Sequence, residues 1–279
     1  MKGTRVAKAH RRQEPSWQEV LPAKLRALLG QSEWEAVTIG RSRAQVLHVE
    51  DGYLKILRLG QTWGSDLQAE KERLEWLEGR LPVPQVYYYG RNAFFEYLYL
   101  SEIQGIMACD QQFRDDIPGL IDLLAEALHM VHAVKAQASP FTRPLQTHLE
   151  EIQQSIATNR IDNAKFAFDH QGVSPQAWYD QLVHLFPTSD DLSFTHGDFC
   201  LPNIMIDRKK RRINGLIDWG NGGIADRHED LAATCWSLGY NFDQAWISLL
   251  LKAYGHESTD QKRLTFYQRL DDLSHYYLK

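Results

Sequence analysis

Three side chains in the second half of the chain have the types and spacing to move a phosphoryl group. Asp198 follows His196 and Gly197 in the run FTHGDFCLPNIMID, Asn203 stands at the fifth position after it, and Asp218 closes the run Asn214-Gly215-Leu216-Ile217. In phosphoryl transfer one carboxylate accepts the proton of the attacking hydroxyl. An amide and a second carboxylate hold magnesium on the nucleotide phosphates. A lone Asp after a flexible glycine can equally cap a turn. The Asn at +5 shifts the balance, because that interval separates base from metal ligand in a kinase catalytic loop. Asp218, ahead of Trp219-Gly220, sits where a metal could reach it, or where a turn or helix N-cap would place any Asp.

Phosphates also need a cation. Lys55 lies in Gly52-Tyr53-Leu54-Lys55-Ile56-Leu57, an otherwise apolar strand pattern. There it is either a phosphate ligand or an edge-strand gatekeeper. Glu70, early in the next helical pattern, is its nearest credible partner, since a strand Lys held by a helix Glu is how kinases fix nucleotide phosphates. A solvated helix face is the bland account of Glu70. The segment Ile39 to Val46 lies between two strand patterns and could fold over phosphates through Ser42 and its backbone, or be a plain hairpin loop. His196 reads as a loop brace and Asp230, in RHEDLA, as a structural residue at a helix start. A zinc site would need two close ligand pairs and finds only His196 with Cys200. A serine nucleophile has no G-x-S-x-G to sit in.

Composition sets the outer limits. The 279 residues are 43% hydrophobic and 24% charged, ordinary for a soluble globular protein. No apolar run approaches the roughly 20 residues that cross a bilayer. The basic N-terminus lacks the apolar stretch of a secretory signal, so residues 1–14 read as a flexible tail. Three widely spaced cysteines, Cys109, Cys200 and Cys235, fit reduced thiols in a cytoplasm. Net charge is −5, but residues 1–103 carry 15 Lys+Arg against 13 Asp+Glu and residues 104–279 carry 16 against 23. A mildly positive first part suits a polyanionic nucleotide and an acidic second part a cationic substrate; neither nucleic acid nor membrane is an expected partner.

The elements that must position these residues follow the same division. Residues 17–29 have helical spacing, with Pro22 as break or start and Gly30 as the stop. Strand patterns cover Glu35–Ile39, Gln45–Glu50 and Tyr53–Leu59, the last two joined at Asp51-Gly52, a hairpin signal. A helix capped by Ser65 runs to Glu78, and strands follow at Gln85–Tyr89 and Ala93–Leu100. From Ser101 to Gly105 the composition turns helical. Helices are expected at Ile117–Val134, Leu145–Ala157, Pro175–Phe186, Arg227–Leu238, Phe242–Tyr254 and Asp260–Leu273, with short strands at Leu192–Thr195, Ile204–Ile206 and Arg212–Ile217. The expected fold class is α+β: a small antiparallel β lobe over residues 1–103 and a larger, mostly helical lobe over residues 104–279 that holds the catalytic loops and substrate pocket.

HGDFCLPNIMID, GLIDWGNGGIADRHEDLA, WLEGRLPVPQV and RLTFYQRLDDL resemble, in order, the blocks of the aminoglycoside 3′-phosphotransferases and their streptomycin-kinase relatives. LAEALHMVHAVKAQASPF and DHQGVSPQAWYDQLVHLFP look similar too, so the resemblance spans nearly the whole chain. It implies a two-lobed protein-kinase-like fold and transfer of the γ-phosphoryl group of ATP or GTP, with Mg2+, to a hydroxyl of an aminocyclitol antibiotic, most simply the 3′-hydroxyl of a cationic aminoglycoside. By matching motif, Asp198 resembles the catalytic base, Asn203 and Asp218 the magnesium ligands, and Lys55 the phosphate lysine anchored by Glu70. Tyr53 resembles the aromatic that stacks on adenine, and Ser101 to Ile103 the hinge whose backbone pairs with its edge. A monomer or weak dimer is implied.

The substrate side departs from the family's pattern. The loop before DHQG keeps only Asp162 and Asp169 as carboxylates, and Lys165 would repel a polycation. Asn221 stands where an Arg is usual, Trp236-Ser237 where a polar pair is usual, and RLDDL runs on into Ser274 to Lys279. Asp271 and Asp272 remain as substrate-side carboxylates. Each lost charge-assisted contact weakens a cationic ligand by about 1.5–3 kcal/mol. Two other readings therefore stand beside the first: a kinase of a less cationic hydroxyl compound (a macrolide, another antibiotic or a metabolite), and a nucleotide-binding pseudokinase, which would usually have lost one of the residues retained here.

Overall fold

The computed structural model describes residues 15–37, 44–60, 67–189, 191–255, 260–274 and 276. Among the described residues, two helices and five strands make up the N-terminal part: Ala23–Leu29 (α1), Trp34–Ala36 (β1), Gln45–Val49 (β2), Gly52–Arg58 (β3), Leu67–Leu77 (α2), Val86–Arg91 (β4) and Phe95–Ser101 (β5). The strands form one antiparallel sheet in the order β1-β2-β3-β5-β4. Successive strand side chains point to opposite faces. Leu47, Val49, Leu54 and Ile56 bury one face against Trp17, Leu25 and Leu29. Val46, His48, Tyr53 and Lys55 are thereby turned to the other face. Leu98 and Leu100 of β5 lie opposite Lys55 and Tyr53 and belong to the large core shared with the helices.

The β2–β3 hairpin turns where Asp51-Gly52 indicates, but by a different device. The last pair is Val49 with Gly52, and the positive φ (51°) falls on Glu50. Gly52 is the first strand residue, and a Cβ there would meet the Leu100 carbonyl at 2.6 Å. α2 is fixed by Glu96, a buried β5 residue whose Oε2 accepts from the Leu67 N–H at 3.1 Å, a negative charge at a helix N-terminus. The expected cap Ser65 lies outside the described residues, as do the expected strand positions 38 and 39 and the tail 1–14.

Beyond Ser101 the chain adds Ile106–Met107 (β6), Ile117–His132 (α3), Leu145–Ala157 (α4), Asn163–Asp169 (α5), Pro175–Val183 (α6), Leu192–Thr195 (β7), Ile204–Asp207 (β8), Arg212–Leu216 (β9), Gly223–Asp226 (β10), His228–Asn241 (α7), Ile247–Ala253 (α8) and Gln261–Ser274 (α9). β6-β8-β9 form one small antiparallel sheet and β7-β10 another. α3 is the central helix: Asp116 caps it through the Gly119 N–H, and Leu120, Ile121, Leu124, Leu128 and Val131 are buried. No helix among the described residues is long and apolar enough to cross a membrane. All three cysteines are unpaired.

Three elements were not expected. α5 occupies what reads as a loop, because Asp162 caps it through the Lys165 N–H and Phe166 anchors it with full burial. β6 and β10 are too short to show a period, and each exists by pairing with a partner far along the chain. The expected helix Phe242–Tyr254 opens instead with a single tight turn, Gln244–Trp246, capped by Asp243.

Candidate active site

Lys55 and Glu70 come together as expected. Lys55 Nζ lies 2.7 and 2.8 Å from the two carboxylate oxygens of Glu70. The same ammonium reaches Asp218 Oδ1 at 3.0 Å. Burial works against the charge on Lys55, but Asp218 and Glu70 outweigh it and hold the ammonium above the ordinary lysine range. Asp218 is drawn below the usual carboxylate range, chiefly by Lys55. Glu70 is pushed up by its own burial, against Lys55. Asp218 has φ 67°, left-handed backbone that a non-glycine residue adopts at a cost of about 1–3 kcal/mol and that tends to mark functional sites. The Ile217 N–H on the Asn203 carbonyl (3.0 Å) and His196 Nε2 on the Ile217 carbonyl (2.9 Å) hold it there.

Asp198 and Asn203 are also adjacent. Asn203 Nδ2 donates to the Asp198 carbonyl at 2.9 Å and to its Oδ2 at 3.3 Å. Burial and the nearby Asp218 raise the Asp198 carboxyl above its ordinary value. The Cys200 thiol, beside Asp198 and Asp271, is pushed far up by burial and those two charges.

The loop carrying Asp198 is held from α7. Asp230, fully buried, accepts from the His196 and Gly197 N–H groups, both at 2.8 Å, and faces His132 Nε2 at 3.2 Å. Burial opposes its charge, yet His132, His196 and the amide donors bring it below the usual range. One turn on, Thr234 Oγ1 donates to the Phe199 carbonyl, and Ser237 Oγ accepts from the Leu201 N–H. His196 braces the loop as expected. Asp230 does far more than begin a helix, and Ser237 serves the loop's backbone. The missed signal was the spacing of Asp230, Thr234 and Ser237 on one helical face.

Among the residues expected to meet nucleotide, Tyr53 shares the strand face of Lys55, and His48 tilts against it with centroids 5.0 Å apart. At the expected hinge the Ser101 N–H bonds the Gln85 carbonyl and the Glu102 N–H the Asp51 carbonyl. The Ile103 N–H has no partner among the described residues, and the Ile103 side chain lies against Gly215. Ser42 falls outside the described residues.

The three carboxylates expected on the substrate side separate. Asp271 lies near enough to Cys200 to help raise its thiol. Asp272, the next residue on α9, turns to His170 at 3.9 Å and is raised by burial. Asp169 is taken up by Lys165 Nζ and the Tyr276 hydroxyl, both at 2.8 Å. Trp236 and Tyr240 stack along α7 with centroids 5.2 Å apart.

The donors near Asp218 fit magnesium. Asn203 spends its amide N–H groups on Asp198, leaving Oδ1 as a bare oxygen donor, and Asp218 offers the oxygen that Lys55 does not take. Among the described residues no cluster of three or more His, Cys, Asp or Glu forms a closed metal cage. Magnesium suits such an open set, since it is typically bound by one or two protein carboxylates plus phosphate and water.

A β-rich lobe that brings a Lys–Glu pair to an Asp–Asn–Asp cluster on a helical lobe defines a nucleotide-dependent phosphotransferase of protein-kinase-like build. The chain belongs to the phosphotransferase enzyme family, whose model matches residues 33–267. It is 31% identical over 257 residues to an aminoglycoside 3′-phosphotransferase of Niallia circulans, covering 90% of this chain and 96% of that one. Among solved structures it is similar to an aminoglycoside-3′-phosphotransferase of type VIII (TM-score 0.77, 30% identity, 89% of this chain and 97% of that one). It is similar also to an aminoglycoside phosphotransferase of Streptomyces rimosus in complex with ADP and streptomycin (TM-score 0.75, 26% identity, 90% and 96%).

Proposed function

We propose that the protein transfers the γ-phosphoryl group of ATP to a hydroxyl of a cationic aminoglycoside, most simply the 3′-hydroxyl, and so inactivates the drug. The reading rests on one observation above the others: Lys55 joins Glu70 and Asp218 on one side of the cluster, while Asn203 holds Asp198 on the other. Asp198 accepts the acceptor's proton as the new O–P bond forms and the bond from the γ-phosphorus to the bridging oxygen of ADP breaks. Its raised carboxyl brings the base nearer to neutral pH, which suits proton transfer. Lys55, held by Glu70, takes the α- and β-phosphates. Asn203 and Asp218 hold Mg2+, which neutralises charge on the phosphates when bound. Tyr53 stacks on the base and the hinge at Ser101 to Ile103, also the boundary we assign between lobes, offers the Ile103 N–H to its edge. Asp271 holds an ammonium group of the acceptor.

A second reading keeps this chemistry and changes the acceptor. Lys165 pairs with Asp169 and burial raises the Asp272 carboxyl, so fewer ionised carboxylates remain to grip a polycation. A less cationic hydroxyl compound fits that arrangement. Purified protein with Mg-ATP, offered kanamycin, neomycin, streptomycin and neutral hydroxyl compounds, separates the two. Turnover of at least one aminoglycoside is expected, and turnover of none of them would remove the first reading.

A further inference from the structure

We propose that Arg143 is a positioning residue for phosphoryl transfer: from a strap outside the catalytic loop it holds the Gly197 carbonyl, and with it the peptide that aims Asp198. The inference rests on the reading of Asp198 as the base. Gly197 has φ 77°, and both of its backbone polar groups are gripped. Its N–H donates to Asp230 Oδ1 at 2.8 Å, and its carbonyl accepts from Arg143 Nη1 at 3.4 Å. That carbonyl lies in the planar Gly197–Asp198 peptide, so whatever fixes the oxygen fixes the direction in which Asp198 leaves the loop. The guanidinium lies flush on the glycine. A Cβ built there would run into Arg143 and into the Asn221 carbonyl.

Arg143 is itself well anchored. Its Nη1 lies 2.9 Å from Glu229 Oε1. Glu229 precedes Asp230 in the first turn of α7, so two successive residues hold opposite sides of Gly197. A carboxyl oxygen of Glu229 accepts from the guanidinium whether or not Glu229 is protonated. The strap is sewn to β10: the Ile224 N–H bonds the Phe141 carbonyl and the Arg143 N–H bonds the Ile224 carbonyl, both at 2.9 Å. Phe141 in turn lies under the guanidinium of Arg73 at 4.8 Å, and Arg73 donates to the Gly222 carbonyl. Since Arg73 is on α2 with Glu70, the strap touches the helix of the phosphate lysine's partner, the segment after Asp218 and the loop of Asp198. The bonds of Arg143 run to the Gly197 carbonyl and to Glu229, so it acts on Asp198 through placement.

The test is Arg143→Met in the full chain, which keeps the packing of the stem and removes the donors. Steady-state kinetics with Mg-ATP are measured with kanamycin and with water as acceptor, and thermal melts report the folded fraction. A kcat lower by about 10- to 100-fold is expected, as for a small misplacement of a catalytic group. KM for ATP should stay within about twofold of wild type, as expected when ground-state binding is untouched, and Arg143→Lys should recover part of the rate. Wild-type kcat in folded Arg143→Met would overturn the proposal, as would a loss fully matched by the unfolded fraction. If Arg143→Met does not fold, Arg143→Gln and Glu229→Met, which shorten the donor and remove the oxygen that anchors it, take its place, and unchanged kcat in both folded variants would overturn it. Failure of the wild type to phosphorylate any aminoglycoside would tell against the acceptor assignment alone, because the ratio of variant to wild-type ATP hydrolysis still reads on Arg143.

Discussion

Lys55 Nζ and Asp218 Oδ1 lie 3.0 Å apart, tying a strand of the small lobe to a residue two positions past the last strand of the small β6-β8-β9 sheet. The contact closes only if both lobes fold and meet correctly, and it brings Asp218 below its ordinary range. Lys55→Met would leave Glu70 and Asp218 facing each other without a cation. Charge-assisted contacts of this type contribute about 1.5–3 kcal/mol each, so kcat/KM for Mg-ATP should fall by at least about 100-fold. Steady-state kinetics on a variant shown to be folded by circular dichroism check this, and a loss under tenfold would mean that Lys55 does not hold phosphate.

Asp230 is expected to matter as much for stability as for rate. It is fully buried and serves two backbone donors and His132. Removing one partner of a buried charged network costs about 3–5 kcal/mol, because the others are left unsatisfied. Asp230→Ala should therefore lower the unfolding free energy by that order in urea titrations and reduce kcat in whatever fraction folds. A variant with wild-type stability would show that the loop is held by other contacts.

The cluster around Lys55, Asp198 and Asp218 was legible because its signals are local: a lysine in an apolar strand, an Asp and an Asn at a fixed interval, an Asp at a strand end. Each needed only a short window. What was not legible depends on long-range packing. Asp230 looks like any acidic residue in the first turn of a helix until the loop it holds is placed beside it. Asp271 and Asp272 are adjacent in sequence, yet α9 turns them toward Cys200 and His170 respectively. Arg143 lies in a segment with no period, and only its pairing with Ile224 brings it onto Gly197.

Glu229 predicts a pH dependence of stability. Burial, against the pull of Arg143, raises its carboxyl from an ordinary 4.5 to about 7. Between those values the folded state holds a proton that the unfolded state has lost, so stability falls as pH rises through the window. The contribution is full below pH 4.5 and gone above pH 7. Glu229→Gln removes the titrating group while keeping an oxygen for Arg143, and should flatten this part of the profile. Urea midpoints measured from pH 4.5 to 7.5 on both proteins test it; parallel profiles would mean that other groups set the slope.

The separation of the two α9 carboxylates makes the sharpest statement about the acceptor. Asp271 acts on Cys200, whose thiol neighbours Asp198, whereas Asp272 faces His170 and is raised by burial. Of the two, Asp271 is the one we propose meets an ammonium group of the acceptor. Asp271→Asn should raise KM for a cationic acceptor by roughly 10- to 100-fold, the equivalent of one charge-assisted contact, with KM for ATP unchanged. Asp272→Asn should leave both constants near wild type. A neutral acceptor supplies the control, since its KM should not respond to Asp271→Asn. If Asp272→Asn instead raises KM for the cationic acceptor, the substrate enters from the His170 side, and the short helix carrying Lys165 and Asp169 becomes part of the pocket wall.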